Sequence, residues 1–260
     1  MSDETLLTVL HRTVDAVSEV LAGTTDWGLA GTRSGQHRSD LVADRVAVET
    51  LVAAGFGVLS EESGVHHGER PVTVVVDPLD GSTNASRGVS WWAISLCAVT
   101  GGAPVASVVA DVPGGVRFEA TAGGGARCDG RPISPSGATE LRRSLVGVNG
   151  LPAAHLGWDQ FRALGAAALD LCAVASGGLD GYVDCTVSSH GPWDYLGALL
   201  VCTEAGAAVA DAEGRELVVL DHAARRTPVA AATPALLDEL LAARAASRPG
   251  FRPGAGVDTV

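Results

Sequence analysis

The chain contains no lysine; all 18 of its basic residues are arginines. We read this bias as the mark of a GC-rich coding sequence, and it excludes any mechanism built on a lysine amine. Positive charge is scarce altogether, with 18 basic against 30 acidic residues and a net charge of -12. Nucleic acid and anionic membranes both need a basic face, so neither is expected as a partner. An anionic ligand remains open to an acidic protein if a metal cation stands between them. The five cysteines, Cys97, Cys128, Cys172, Cys185 and Cys202, are odd in number and include no C-x-x-C pair. A disulfide framework or a zinc site is therefore not expected, and they read as small buried hydrophobes. No apolar run reaches transmembrane length; residues 199–202 are only a fragment of an amphipathic helix. The acidic stretch Met1-Ser2-Asp3-Glu4-Thr5 lacks the basic region of a signal peptide, so a cytoplasmic location is expected. There is no internal repeat.

What the chain does have is apolar material. Hydrophobic residues make up 47% and charged ones 18% of 260 positions, enough for one large domain or two small ones packed together. Leu7, Leu10, Val14, Val17 and Leu21 recur at helical steps and predict an opening helix ending near Gly23. Residues 24–36 read as a loop and residues 41–54 as a second helix. Short β-like runs follow at 58–59, 72–76, 93–99, 104–112 and 117–121, separated by Gly and Pro turns. The second half alternates. Strands are expected at 145–148, 181–185, 207–210, 217–220 and 229–232, with helices at 161–175, 194–204 and 235–246. The pattern predicts an α+β first half and an α/β second half. We divide the chain into residues 1–137, a metal-binding half, residues 138–247, a substrate half, and residues 248–260, a flexible tail.

The informative segment is Val74-Val75-Val76-Asp77-Pro78-Leu79-Asp80-Gly81-Ser82-Thr83-Asn84. A run of valines is the signature of a strand buried on both faces, and it stops at two carboxylates three residues apart. Pro78 forces Asp77 into an extended conformation, and Gly81 permits a sharp turn. Ser82 and Thr83 can then open a helical turn. Such a turn offers a hard cation two carboxylates and the Leu79 carbonyl, beside a nest for an anion. The alternative is an ordinary strand-end turn, because Asp-Pro and Asp-Gly are common turn dipeptides. An EF-hand fails, since placing Gly81 at loop position 6 puts Val76 at position 1 and Arg87 at position 12. Glu61-Glu62 after a short apolar run, and Asp194 where a helix begins, add carboxylates that each have a bland reading alone.

The combination is what resembles a known family. Glu61-Glu62, then Asp-Pro-Leu-Asp-Gly-Ser-Thr-Asn from Asp77, then Trp193-Asp194 resemble the inositol monophosphatase family of metal-dependent phosphomonoesterases. Its superfamily includes fructose bisphosphatases and phosphonucleotide phosphatases. The likeness runs from about Asp40 to Asp211. It implies a layered αβαβα sandwich of the sugar-phosphatase type. It also implies two Mg²⁺ ions, replaceable by Mn²⁺, with a weak third in some members. Glu61, Asp77 and the Leu79 carbonyl would hold the first cation; Asp77, Asp80 and Asp194 would hold the second. Glu62 would support them. All-oxygen ligation agrees with Mg²⁺ or Mn²⁺ over zinc. Glu61 and the Ser82 hydroxyl would orient the attacking water, with an upstream aspartate behind them. That aspartate is Asp44, with Asp40 as runner-up, in a stretch (residues 37–44) shorter than the family's usual one and lacking its Lys and Thr.

By the same resemblance, Gly81, Ser82 and Thr83 hold the phosphate. Asp80, Gly165, Ala167, Asp184 and Asp194 line the alcohol pocket. The substrate is then a small phosphomonoester, with inositol monophosphate leading. Histidinol phosphate, a nucleoside 3′,5′-bisphosphate and a sugar bisphosphate are alternatives. A non-catalytic phosphometabolite-binding relative is the reading from another class. A homodimer is the family's habit. His66-His67 are read as a solvated pair and His190 as structural. One of Trp91 and Trp92 is assigned to the core, the other to the cleft rim or a subunit interface.

Overall fold

The computed structural model describes residues 3–32 and 35–247. The expected tail at 248–260 lies outside the described residues. Two helices, α1 (Asp3–Ala22) and α2 (Arg38–Ala53), come first. Leu10, Val14, Val17 and Leu21 form the buried stripe of α1, as their spacing predicts, while Leu7 is only half-buried and Leu6 and Val9 extend the stripe. Helix α2 begins three residues before Leu41. Its first turn is closed by Asp40, which accepts the His37 N–H at 2.7 Å.

The first sheet has eight strands: β1 (Gly57–Ser60), β2 (Gly64–His66), β3 (Val72–Asp80), β4 (Ala93–Thr100), β5 (Ala103–Asp111), β6 (Val116–Thr121), β7 (Gly125–Cys128) and β8 (Arg131–Pro132). Their spatial order is β2-β1-β3-β4-β5-β6-β7-β8, and only β1 and β3 are parallel neighbours. A short helix α3 (Ser82–Arg87) leaves the end of β3. The second sheet contains β9 (Leu145–Asn149), β10 (Gln160–Arg162), β11 (Gly181–Asp184), β12 (Ala208–Asp211) and β13 (Pro228–Ala231), in the order β10-β9-β11-β13-β12. Helices α4 (Ala167–Ala175), α5 (Pro192–Ala205) and α6 (Pro234–Ala246) complete the described fold.

These elements stack in five layers. Helices α1 and α2 cover one face of the first sheet; α4 and α5 fill the space between the sheets, and α6 covers the second sheet from outside. The αβαβα sandwich implied by the resemblance is therefore present. Strand β3 shows why its valines were needed. Val74 and Val76 face the α1/α2 side while Val75 faces the α4/α5 side, so alternate residues enter two different cores.

Three expected elements differ. Residues 161–175 are not one helix: Phe161 lies in β10, an edge strand parallel to β9, and the helix starts only at Ala167. Gly165, at φ +90°, sits where the two meet. The apolar run 217–220 forms no strand; Leu217 is buried instead with its carbonyl accepting the Tyr195 hydroxyl at 2.7 Å. Strand β3 does not stop at Asp77 but continues to Asp80 through a bulge. In addition, the Gly-rich segment 124–133 supplies β7 and β8, which the sequence pattern does not announce. All five cysteines are free.

Candidate active site

The bulge in β3 builds the centre of the site. Residues three apart on a regular strand point to opposite faces. Here Asp77 pairs with Ser95 and Asp80 with Ala93, three steps on β3 against two on β4. The extra residue restores an even count, so both carboxylates emerge on one side. Pro78 fits inside the bulge because it has no N–H to give to the ladder. Asp77 accepts the Leu79 N–H at 2.9 Å, which fixes its rotamer.

Two further carboxylates converge on it. Glu61 follows β1, and its N–H bonds the Val76 carbonyl at 3.1 Å, extending the parallel ladder by one rung toward Asp77. Asp194 stands in the first turn of α5, where it accepts the Gly191 N–H at 2.7 Å. One carboxylate oxygen from each of Glu61, Asp77 and Asp194 lies within 4.8 Å of the others. Asp80 stands by Asp194, one oxygen accepting the Ala168 N–H of α4 at 2.8 Å. Burial, then the like charges of Glu61, Asp80 and Asp194, push the Asp77 carboxyl well above the ordinary range. Burial and then Asp194 push Asp80 up to about 8. The acids of the cluster raise one another's cost of ionising, and His190 offsets that of Asp80 only in part. Its donors are all oxygen and converge from three elements, which fits a hard divalent cation.

Two cavities open on either side and share Glu61. One, of about 250 Å³, is lined by Asp80, Gly165, Ala167 and Asp194 together with Asn149, Asp170, Tyr182, Ser189 and His190. The other, of about 410 Å³, is lined by Gln36, Asp40, Glu62, Asp77, Leu79, Ser82, Trp193 and Arg225. Gly81 adopts φ +86°, and a Cβ there would meet the Trp91 carbonyl at 3.1 Å, so this turn admits only glycine. Ser82 faces the larger cavity, while Thr83 is exposed. Asn84 ties the turn to its surroundings through bonds to the Trp91 and Leu164 carbonyls at 2.8 and 2.7 Å.

Several expected residues are elsewhere. Asp44 is buried and lines neither cavity; it accepts the Ser60 hydroxyl beneath β1. The runner-up, Asp40, does line the larger cavity, and burial raises its carboxyl to about 6. Glu62 lies beside it and accepts the Gln36 amide. Asp184 is the main correction. It is 0% exposed and its carboxylate is saturated by Asn149 Nδ2, the Thr186 N–H and hydroxyl, the Ser189 hydroxyl and His190 Nδ1. It cannot offer an oxygen to an alcohol. His190, read as structural, is the group that lines the cavity in its place. His66 and His67 pair locally with Ser63 and Glu69, as expected of a polar loop.

Other cavity residues carry no motif. Asp170 is 2% exposed, accepts the Trp91 indole N–H at 2.9 Å, and is raised to about 7 chiefly by burial. Trp91 is thus tied to a cavity-lining carboxylate while packing against the α4/α5 core, and Trp92 packs against Trp27 with ring centroids 6.3 Å apart. The loop between β12 and β13 also reaches the site. His222 bonds the Glu61 carbonyl at 3.1 Å and lies 4.8 Å from the Trp193 ring; Arg225 sits 5.1 Å above the same ring.

With this geometry in place, comparison with known proteins is informative. A model described as the inositol monophosphatase family matches residues 2–248. The phosphatase IMPL1, chloroplastic, of Arabidopsis thaliana is 32% identical over 214 residues, 71% of this chain, which spans 57% of the plant protein's length. The fructose-1,6-bisphosphatase/inositol-1-monophosphatase of Thermococcus kodakarensis is 35% identical over 209 residues, covering 78% of this chain and 80% of the relative. Among solved structures, inositol monophosphatase from Anabaena superposes with a TM-score of 0.78 at 26% identity, covering 95% of this chain and 97% of its own. The family is metal-dependent, and the cluster of Glu61, Asp77 and Asp194 is an acidic group of the kind a metal ion requires. The chain belongs to the inositol monophosphatase family of phosphomonoester hydrolases.

Proposed function

We propose that this chain hydrolyses a small alcohol phosphomonoester of the inositol monophosphate type, using two Mg²⁺ ions. The observation that carries the reading is the convergence of Glu61, Asp77 and Asp194 between two separate polar cavities. Glu61, Asp77 and the Leu79 carbonyl would hold one cation, and Asp77, Asp80 and Asp194 the other. When bound, such ions activate water and neutralise the departing oxygen. The protein's own groups orient the reactants. Glu61 and the Ser82 hydroxyl hold the attacking water on the side of the larger cavity, with Asp40 behind them. Gly81, Ser82 and Thr83 cradle the phosphate. Asp80 and Asp194 face the leaving alcohol, with Gly165 and Ala167 shaping its pocket. That pocket's 250 Å³ lies below the roughly 300–1,000 Å³ of sites for drug-sized ligands, which favours a single polyol ring over a nucleoside. Asn149, Asp170, Ser189 and His190 give it the donors and acceptors that several hydroxyls require. A cytoplasmic homodimer completes the reading.

Phosphate release from a panel tests it. The panel comprises inositol 1-phosphate, histidinol phosphate, a nucleoside 3′,5′-bisphosphate, fructose 1,6-bisphosphate and an aryl phosphate, each with Mg²⁺ and with excess chelator. We expect Mg²⁺-dependent turnover, highest on inositol phosphate. Full activity in chelator would refute the metal reading, and preference for the nucleotide would refute the polyol assignment.

A further inference from the structure

Among the described residues that line the two cavities, one carries a permanent positive charge. Arg225 faces the larger cavity with Ser82, amid Asp40, Glu61, Glu62 and Asp77. A phosphate dianion entering that space meets a wall of carboxylates, of which Asp40 and Glu62 are not among the groups that would hold a cation. The guanidinium is also held in place. It lies 5.1 Å from the Trp193 ring centroid, and Nη1 donates to the His222 and Ala224 carbonyls at 2.8 Å each. The loop that carries it is anchored to the site, because His222 bonds the Glu61 carbonyl at 3.1 Å. The next residue lines neither cavity: Arg226 Nε donates to the Glu216 carbonyl at 2.7 Å and Nη1 to the Arg225 carbonyl at 3.0 Å.

We propose that Arg225 binds the phosphoryl group of the substrate from the side opposite the leaving alcohol. The proposal rests on the phosphatase reading and assigns a group to it that lies far from every motif in the sequence. A planar guanidinium, half-buried and stacked on an aromatic face, suits a phosphate better than a mobile ammonium would. Its stacking partner Trp193 adjoins Asp194, so phosphate binding and the acidic cluster share one support.

The test uses the full chain with R225Q, R225K and, as control, R226Q. Binding of inorganic phosphate in saturating Mg²⁺ and binding of Mg²⁺ alone are measured by calorimetry, with kinetics on an aryl phosphate. For R225Q we expect phosphate affinity to fall at least about tenfold, the scale of one charge-assisted contact. Affinity for Mg²⁺ should hold or tighten, because a repelling cation has been removed. KM should rise in step with the phosphate constant while kcat stays within about threefold. R225K should recover part of the binding, and R226Q, which removes only a brace on the Arg225 carbonyl, should lose less phosphate affinity than R225Q. Equal weakening of phosphate and Mg²⁺ would mean a merely structural Arg225 and overturn the proposal. So would unchanged phosphate binding. A wild type that neither binds phosphate with Mg²⁺ nor hydrolyses the ester would overturn the phosphatase reading itself.

Discussion

The two walls of the site are built on opposite electrostatic plans. The wall from the first sheet carries Asp77 and Asp80 on β3 and Glu61 just after the adjoining β1, and burial followed by like charge raises the carboxyls of Asp77 and Asp80. The wall from the second sheet contains a buried carboxylate too, yet Asp184 is lowered. Burial, the largest single influence, would raise it, but the hydrogen bond and charge of His190 at 2.9 Å together with the Thr186 hydroxyl and N–H outweigh it. His190 is raised: its desolvation opposes this, but the bond to Asp184 together with the charges of Asp184, Asp194 and Asp80 exceeds it. Asp77 and Asp80 stay raised in the first wall, whereas Asp184 in the second is held ionised by its partners; Asp170, on α4, is raised by burial as the first wall's acids are. A carboxylate cluster that destabilises its own fold is retained for chemistry. A paired and saturated carboxylate serves to hold its neighbours.

Removing charge from each wall should therefore have opposite consequences for stability. Asp194→Asn and Asp80→Asn take a negative charge from the first wall, and we expect turnover to fall at least about a hundredfold. The fold should not suffer. An Asn at position 80 still accepts the Ala168 N–H and removes a carboxylate whose raised value opposes folding. With a folded value near 8, the Asp80 contribution is complete below the ordinary carboxylate value of 3.8 and lost as pH rises toward 8. Without metal, Asp80→Asn should thus melt at or above the wild-type temperature at pH 8. Near-wild-type kcat in either variant would show that the acidic cluster is not the reaction centre.

In the second wall, Asp184→Asn should act the other way. It leaves His190 without its counter-charge in a buried setting, and we expect a loss of about 3 kcal/mol. The window follows from both partners. The lowered Asp184 contributes above 3.8, and the raised His190 contributes fully below 6.5 and loses its contribution at higher pH. The difference between wild type and variant should peak near pH 5–6 and shrink by pH 8 in paired urea titrations. Activity should drop alike on inositol and aryl phosphates, since the residue touches neither leaving group. A loss confined to the polyol would restore Asp184 as a direct contact.

The same contrast governs what can be read from the sequence. The first wall is written contiguously: Asp77 to Asn84 holds two of its carboxylates and the glycine turn that follows them. Even so, the bulge that puts both carboxylates on one face depends on the register of β4, where Asp77 pairs with Ser95 and Asp80 with Ala93. The second wall comes from β9, α4, β11 and the link to α5, so its residues share no spacing. Asp170 is the one charge in an otherwise apolar nine-residue helix, with eight of the nine buried. That anomaly was a usable signal. Phe161 and Leu164 fit a helical period that pairing with β9 overrides, and the run 217–220 looks like a strand but finds no ladder partner. Arg225 leaves no trace in the sequence, because only the fold of the β12–β13 loop brings it to Trp193.

The smallest effect expected is that of Asp170→Asn, and it probes whether the second wall senses pH through the substrate pocket. Asp170 is raised to about 7, first by burial and against the bond from Trp91. Below that value the side chain is a neutral acid that still accepts the indole N–H. Asn is close to it in shape, keeps the acceptor for Trp91 and carries no charge, so kcat/KM at pH 6 should differ from wild type by less than about twofold. Above pH 7 the wild-type residue ionises and becomes an acceptor only, whereas Asn still donates. If a substrate hydroxyl donates to this carboxylate, the variant should fall behind on inositol phosphate by about fivefold at pH 8.5, the scale of a single hydrogen bond. An aryl phosphate, with no hydroxyl to offer, should show no such divergence. A ratio that stays flat with pH on both substrates would mean that Asp170 serves only to hold Trp91 against the cleft.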